Sequence, residues 1–165
     1  MNKIAILSDT TMTIPEEFAK QHDLYIIPLY VVFDEKPYKD VEEITYEAFF
    51  ARLNNGEMAT TSQAAPGEFV EHYQNLKAKG YEEIIVTVMS SKMSGTYQAA
   101  VAAIDFVEGI KVHVVDTEST TIFGGVAVME MAKAVKNGTS AEEAIAISHR
   151  LIRERMLMPE LLLIH

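Results

Sequence analysis

Apolar positions recur along this chain in two different periods. Short runs rich in β-branched residues occur at 3–7, 24–33, 83–89 and 111–115, and each reads as a strand. The stretches between them carry helical spacing. Strands alternating with helices predict βαβ units. The expected fold is therefore α/β, a Rossmann-like three-layer domain whose mainly parallel sheet is flanked by helices on both faces.

The helices announce their ends. Thr13 with Glu16 has the spacing of a capping box, with Pro15 in the first turn, where a missing N–H is harmless. Thr45 can cap a helix over 46–53 that buries Phe49, Phe50 and Leu53. Pro66 opens a helix with apolar Phe69, Val70, Tyr73 and Leu76, and Gly80 fits the residue just past its end. Ser140 with Glu143 is a second capping box, ahead of Ile145, Ile147, Leu151 and Ile152. The stretch 126–135 is rich in Ala and Met and reads as buried nearly all round, with Ala127, Val128, Met129 and Met131 in the core. Methionines also line ligand sites, so that second role for Met129 and Met131 stays open.

The last ten residues, 156–165, carry seven apolar side chains and no stop signal. They read either as a last strand or as the lead into a further segment. The expected organisation is one α/β domain over 1–155 followed by this apolar tail, through which the chain could self-associate.

Composition narrows the function. The chain has 165 residues, of which 48% are hydrophobic, enough for a real core. Fourteen Lys and Arg against 24 Asp and Glu leave a net charge of −10. An acidic surface repels phosphate backbones, so nucleic acid is not an expected partner. Absence of cysteine removes disulfide, thiol and Cys–zinc chemistry. The opening apolar run is too short for a signal peptide or a membrane span, and a cytoplasmic location is expected.

The chemical signal is positional. Hydroxyl-rich loops follow three of the strand runs: Ser8-Asp9-Thr10-Thr11, Ser90-Ser91-Lys92-Met93-Ser94-Gly95-Thr96 and Asp116-Thr117-Glu118-Ser119-Thr120-Thr121. In a parallel sheet such loops share one edge, where ligands bind. A fourth cluster, Thr60-Thr61-Ser62-Gln63, precedes the Pro66 helix and could join them. Ser94-Gly95-Thr96 is the leading candidate. Gly95 permits close backbone approach, Ser94 and Thr96 offer hydroxyls, and a helix over 97–107 would add free N–H groups. The expected ligand is a small anionic head group. Each cluster is also an ordinary capping sequence. Asp9 can brace the loops or orient a ligand.

Several chemistries lack their residues. There is no Gly-x-Ser-x-Gly elbow, Walker loop or Gly-x-Gly-x-x-Gly. The five histidines form no metal-binding pair, and no metal or cofactor is expected. His113, between valines in a strand run, reads as structural, with an acid–base role the alternative. The residues alone reach an α/β domain with a hydroxyl-lined anion site, suited to binding more than to catalysis.

Five segments in order resemble the DegV family. They are the opening Ile4-Ala-Ile-Leu-Ser-Asp9-Thr-Thr, Ile27-Pro28-Leu29, Thr61-Ser62-Gln63 with Pro66-Gly67-Glu68-Phe69, Ser90 to Gln98, and Val114-Val115-Asp116-Thr117. The match runs from residue 3 to about 155. It implies a fatty-acid-binding protein that holds a long-chain acid for a separate fatty acid kinase and is not itself an enzyme. In that family the Thr of Thr-Ser-Gln and the Ser of Ser-Gly-Thr contact the carboxylate, which here are Thr61 and Ser94. Around them, the hydroxyl-rich loops themselves offer Ser62, Gly95, Thr96, Asp9, Thr10 and Thr11 as further ligand-binding candidates. The chain departs from the family at Ala64 and Ala65, where Pro and Ser are usual, and at Thr10, where Ser is usual. The 165 residues are expected to hold the family's N-terminal domain only, without the second domain's Gly-Gly-Arg segment and head-group His. The competing readings are a phosphotransferase-like subunit, which needs a reactive His on the rim, and a truncated interaction module that binds no lipid.

Overall fold

The computed structural model describes residues 3–156, so a tail at 157–165 lies outside the described residues. Four strands form a wholly parallel sheet: β1 (Ile4–Asp9), β2 (Leu24–Ile27), β6 (Glu83–Val88) and β7 (Lys111–Asp116), in the order β2-β1-β6-β7. In β1 Ala5 and Leu7 face one side and Ile6 the other, and both sides are covered. The helices α3 (Pro66–Ala78) and α4 (Thr96–Ala102) lie over one face, with Phe69, Tyr73, Leu76 and Ala100 against Leu7, Ile84 and Val86. The other face meets α1 (Glu16–Gln21), α5 (Thr121–Lys136) and α6 (Ala141–Met156), with Val128, Met131 and Ala144 against Ile6, Ile85 and Val115. The expected three layers are present. Among the described residues, no helix is long and apolar enough to cross a membrane.

The run 24–33 is not one strand. β2 stops at Ile27, because the buried Pro28 has no N–H to continue the ladder. The chain then turns out of the parallel sheet. Leu29 donates its N–H to Thr10 Oγ1 at 3.2 Å and accepts Asp40 N–H at 2.8 Å. It continues as β3 (Tyr30–Phe33), the centre of a second, antiparallel sheet. There β4 (Lys36–Lys39) is one edge and β5 (Ala59–Ser62) the other. Neither was expected from the sequence. The β3–β4 turn is Asp34-Glu35, both at positive φ (48° and 63°), the backbone of a two-residue hairpin turn matched to strand twist. Thr60-Thr61-Ser62 is thus strand rather than loop.

The caps divide. Thr45 Oγ1 accepts Ala48 N–H at 3.2 Å and opens α2 (Tyr46–Asn54). Ser140 and Glu143 form the expected reciprocal box. Thr13 forms none: it sits at φ 50° after a 3-10 turn at Thr10–Met12, and α1 starts after Pro15 without a side-chain cap. The helix expected over 97–107 is shorter, with α4 tightening at Ala103–Phe106 into a 3-10 turn. On α6 the fully buried side is Ala141, Ala144, Ser148 and Ile152, while Ile145, Ile147 and Leu151 are half-buried. On α5, Ala127, Val128 and Met131 are buried and Met129 only partly.

Candidate functional site

Because β1, β6 and β7 run in parallel, their carboxyl ends share one edge. A buried carboxylate joins the first two. Asp9, 1% exposed, accepts Thr11 N–H (2.9 Å) and the Thr11 hydroxyl (2.5 Å) on Oδ1, and Met89 N–H (2.7 Å) on Oδ2. Burial, the largest influence, raises its pKa above the ordinary carboxylate value, against the pull of those three donors. The loop after β7 braces the loop after β6. Ser90 N–H donates to Ser119 O (3.0 Å), Ser91 N–H to Asp116 Oδ1 (3.1 Å), and the Thr117 hydroxyl to Val88 O (2.9 Å).

Against this edge lies a groove of about 560 Å³, within the range of small-molecule sites. One wall carries Thr11, Met89, Met93, Ser94 and Gly95 from the parallel sheet's loops. The opposite wall comes from the small sheet and α2: Tyr30 and Val31, Thr61 and Ser62, and the rings of Tyr46, Phe49 and Phe50. Phe50 is 57% exposed and Met93 66%, so the mouth is apolar and uncovered. Gln63 packs against Gly95, where a β-carbon would fall 2.4 Å from Gln63 Oε1, so any larger residue there would push the Gln63 side chain aside. The lining includes one formal charge, Asp40, and no Lys, Arg or His.

The eight residues singled out from sequence therefore separate. Thr11, Thr61, Ser62, Ser94 and Gly95 meet in the groove, two walls from distant parts of the chain. Asp9, Thr10 and Thr96 do not line it. Asp9 is spent on the backbone and hydroxyl donors just named. Thr10 Oγ1 accepts Leu29 N–H. Thr96 is fully buried, its hydroxyl 2.8 Å from Ser94 Oγ, and its N–H donates to Ser94 Oγ at 3.2 Å. That bond takes up one of the free N–H groups expected at the start of α4. The rim loop after β7 supports the groove without lining it.

The aromatic wall was misread. Phe49, Phe50 and Leu53 were expected in the core, yet no residue of α2 is fully buried. Their spacing is the same whether they face a core or a ligand groove. Tyr30, also lining, donates its hydroxyl to Glu68 Oε1. That bond, with burial and nearby carboxylates, raises the phenol to about 12. His113 lies toward the amino ends of the strands, away from the groove, with Nε2 2.9 Å from Glu83 Oε2. Glu83, His113 and Glu142 cluster there, and Lys111 Nζ serves both carboxylates, at 3.6 and 2.7 Å.

Comparison with known proteins places this geometry. Residues 3–158 match the family model described as "Uncharacterised protein, DegV family". A DegV domain-containing protein of Caldanaerobacter subterraneus is 38% identical over 152 residues, 92% of this chain and 54% of that protein. Protein DegV of Bacillus subtilis is 37% identical over 143 residues, 86% of this chain and 50% of its own length. The chain thus spans about half the length of the curated relatives it matches. Among solved structures, Bacillus subtilis DegV, described as a fatty acid binding protein, superposes with a TM-score of 0.86 at 34% identity, covering 93% of this chain and 55% of that one. A Thermus thermophilus DegV family protein, whose structure is titled for fatty acid binding, gives 0.83 at 30% identity, covering 92% and 54%. On the extent of the family match and the identity of these relatives, the chain belongs to the DegV family.

Proposed function

We propose that the groove binds a long-chain fatty acid, its carboxyl group at Thr61 and Ser94 and its chain along the aromatic wall, for presentation to a separate fatty acid kinase. The observation that carries this reading is one groove whose lining joins the hydroxyls of Thr11, Thr61, Ser62 and Ser94 to the apolar side chains of Phe49, Phe50 and Met93. Thr11, Ser62 and Gly95 complete the head-group end. Asp9, Thr10 and Thr96 hold that end in shape from behind. The apolar chain supplies most of the affinity, at about 0.8 kcal/mol per buried CH₂. A head group held by hydroxyls and not clamped by Arg stays open to a partner. The chain on this reading carries no catalytic residue and needs no cofactor. Similarity to DegV proteins described as fatty acid binding supports the ligand class.

The test is native mass spectrometry of the 165-residue chain after incubation with a C16–C18 acid, followed by denaturing extraction. A mass increase that resolves to one fatty acid is expected. Ser94→Ala, losing one head-group hydrogen bond, should weaken binding by about tenfold. A clean unliganded mass at saturating lipid overturns the reading.

A further inference from the structure

The two hydroxyls on the β1–β6 wall of the groove have fixed and opposite polarities. Thr11 spends its hydroxyl hydrogen on Asp9 Oδ1, at 2.5 Å. Its oxygen accepts no bond from the described residues, so only lone pairs are left for a ligand. Ser94 is the reverse. Its Oγ accepts Thr96 N–H at 3.2 Å and lies 2.8 Å from Thr96 Oγ1. Thr96 is wholly buried, and Ser94 is its hydroxyl's one partner among the described residues. If Ser94 donated in that pair, the Thr96 hydrogen would be stranded in the interior, which is costly. Thr96 therefore donates, both Ser94 lone pairs are filled, and the Ser94 hydrogen is the group left for the groove.

One wall thus offers a pure donor and a pure acceptor from the loops that follow two adjacent strands. A carboxylate has acceptors only and would set an oxygen against the Thr11 lone pairs. A neutral carboxyl matches both, its carbonyl accepting from Ser94 and its O–H donating to Thr11. The field points the same way. The titratable groups that reach the groove are Asp40 at the end of β4, Tyr30 on β3 and Tyr46 on α2, with Asp9 behind Thr11 on β1 and Glu68 behind Tyr30 on α3. Lys39 and Lys92 adjoin Asp40 and Met93 in sequence without lining the groove; the lining itself holds no cation, and its one formal charge, Asp40, favours the protonated ligand.

We propose that the groove holds its ligand's head group as the neutral acid, donating to Thr11 and accepting from Ser94, with Asp9 the positioning residue that sets the polarity of Thr11. This rests on the fatty-acid reading above and adds the protonation state at that site.

The experiment is carbon-13 NMR of a C16 acid labelled at the carboxyl carbon, bound to the 165-residue chain and titrated with pH. The bound carboxyl should titrate at least about one pH unit above the ordinary aliphatic carboxyl value near 4.3. Thr11→Val, which removes the acceptor and keeps the shape, should lower that midpoint by about one unit or more. Thr11→Ser should keep it. A bound signal that titrates near 4.3, or one that Thr11→Val leaves unmoved, overturns the proposal while leaving fatty-acid binding intact. Absence of any bound signal overturns both.

Discussion

Asp9 and Met89 are 80 residues apart in sequence, and the Met89 amide donates to the Asp9 carboxylate at 2.7 Å. That bond crosses between the ends of the adjacent strands β1 and β6 and fixes the spacing of the loops that carry Thr11 and Ser94. A buried acid serves here as a bracket for backbone. Asp9→Ala removes the acceptor of three donors, two of them backbone N–H groups, and leaves them unpaired in the interior. The expected cost is about 3 kcal/mol or more, read as a lower denaturant midpoint. A loss below about 1 kcal/mol would show that solvent reaches those amides.

Tyr30 links the groove to pH. Its phenol is held neutral by the Glu68 hydrogen bond first, then by burial and neighbouring carboxylates, and titrates at about 12. In the unfolded chain it titrates near 10. A raised pKa favours the protonated form in the fold. The stability that Tyr30 contributes is therefore fully present below about pH 10 and is lost as pH rises from 10 toward 12. The stability difference between the parent chain and Tyr30→Phe should shrink across that window in thermal unfolding scans. A difference constant from pH 9 to 12 would contradict it.

Gly125 is fixed by contact. A β-carbon there would lie 1.9 Å from the Met12 carbonyl oxygen, a backbone atom that cannot swing aside. Gly125→Ala should force α5 off the 3-10 turn that follows β1 and cost about 1–3 kcal/mol despite the better helix propensity of alanine. Urea unfolding measures it; a neutral or stabilising result would mean that the turn and the helix part easily.

Glu35 is strained in the other sense. It is exposed and sits at φ 63°, in the left-handed region, with no side-chain hydrogen bond or ion pair among the described residues to offset the cost. Glu35→Gly should stabilise the β3–β4 hairpin by about 0.5–1 kcal/mol, seen as a higher melting temperature. A fall in melting temperature would show that the side chain makes a contribution larger than the backbone strain.

The parallel sheet was legible because β1 and β6 are buried on both faces and so read as near-continuous apolar runs, as parallel strands do, while the edge strand β7 keeps its valines at 112, 114 and 115. The small sheet was not. Lys36-Pro37-Tyr38-Lys39 is an edge strand, where proline is tolerated and charges are common, so its pattern is that of a loop. The turn Asp34-Glu35 lacks the Asn-Gly signature of a tight hairpin. Hydroxyls at Thr11 and Ser94 were found because they cluster after strand runs, whereas Thr61 was reached through its cluster before the Pro66 helix and the family resemblance. Which of them line the groove was hidden, since Asp9, Thr10 and Thr96 look identical in sequence to their neighbours and differ only in where their hydrogen bonds go. The register of β5 on β3 brings Thr61 opposite Val31 and so into the groove, and that pairing depends on strands the pattern did not reveal.

Helix α2 has no fully buried residue, and its rings turn toward an open groove. On the proposed reading, part of this protein's hydrophobic interior is not encoded in its own chain. The acyl chain is the missing packing partner, so occupancy and local order of α2 rise and fall together. Amide hydrogen exchange in α2 then becomes a direct gauge of lipid supply, slow when the groove is full and fast when it is empty, while the parallel sheet beneath stays protected throughout.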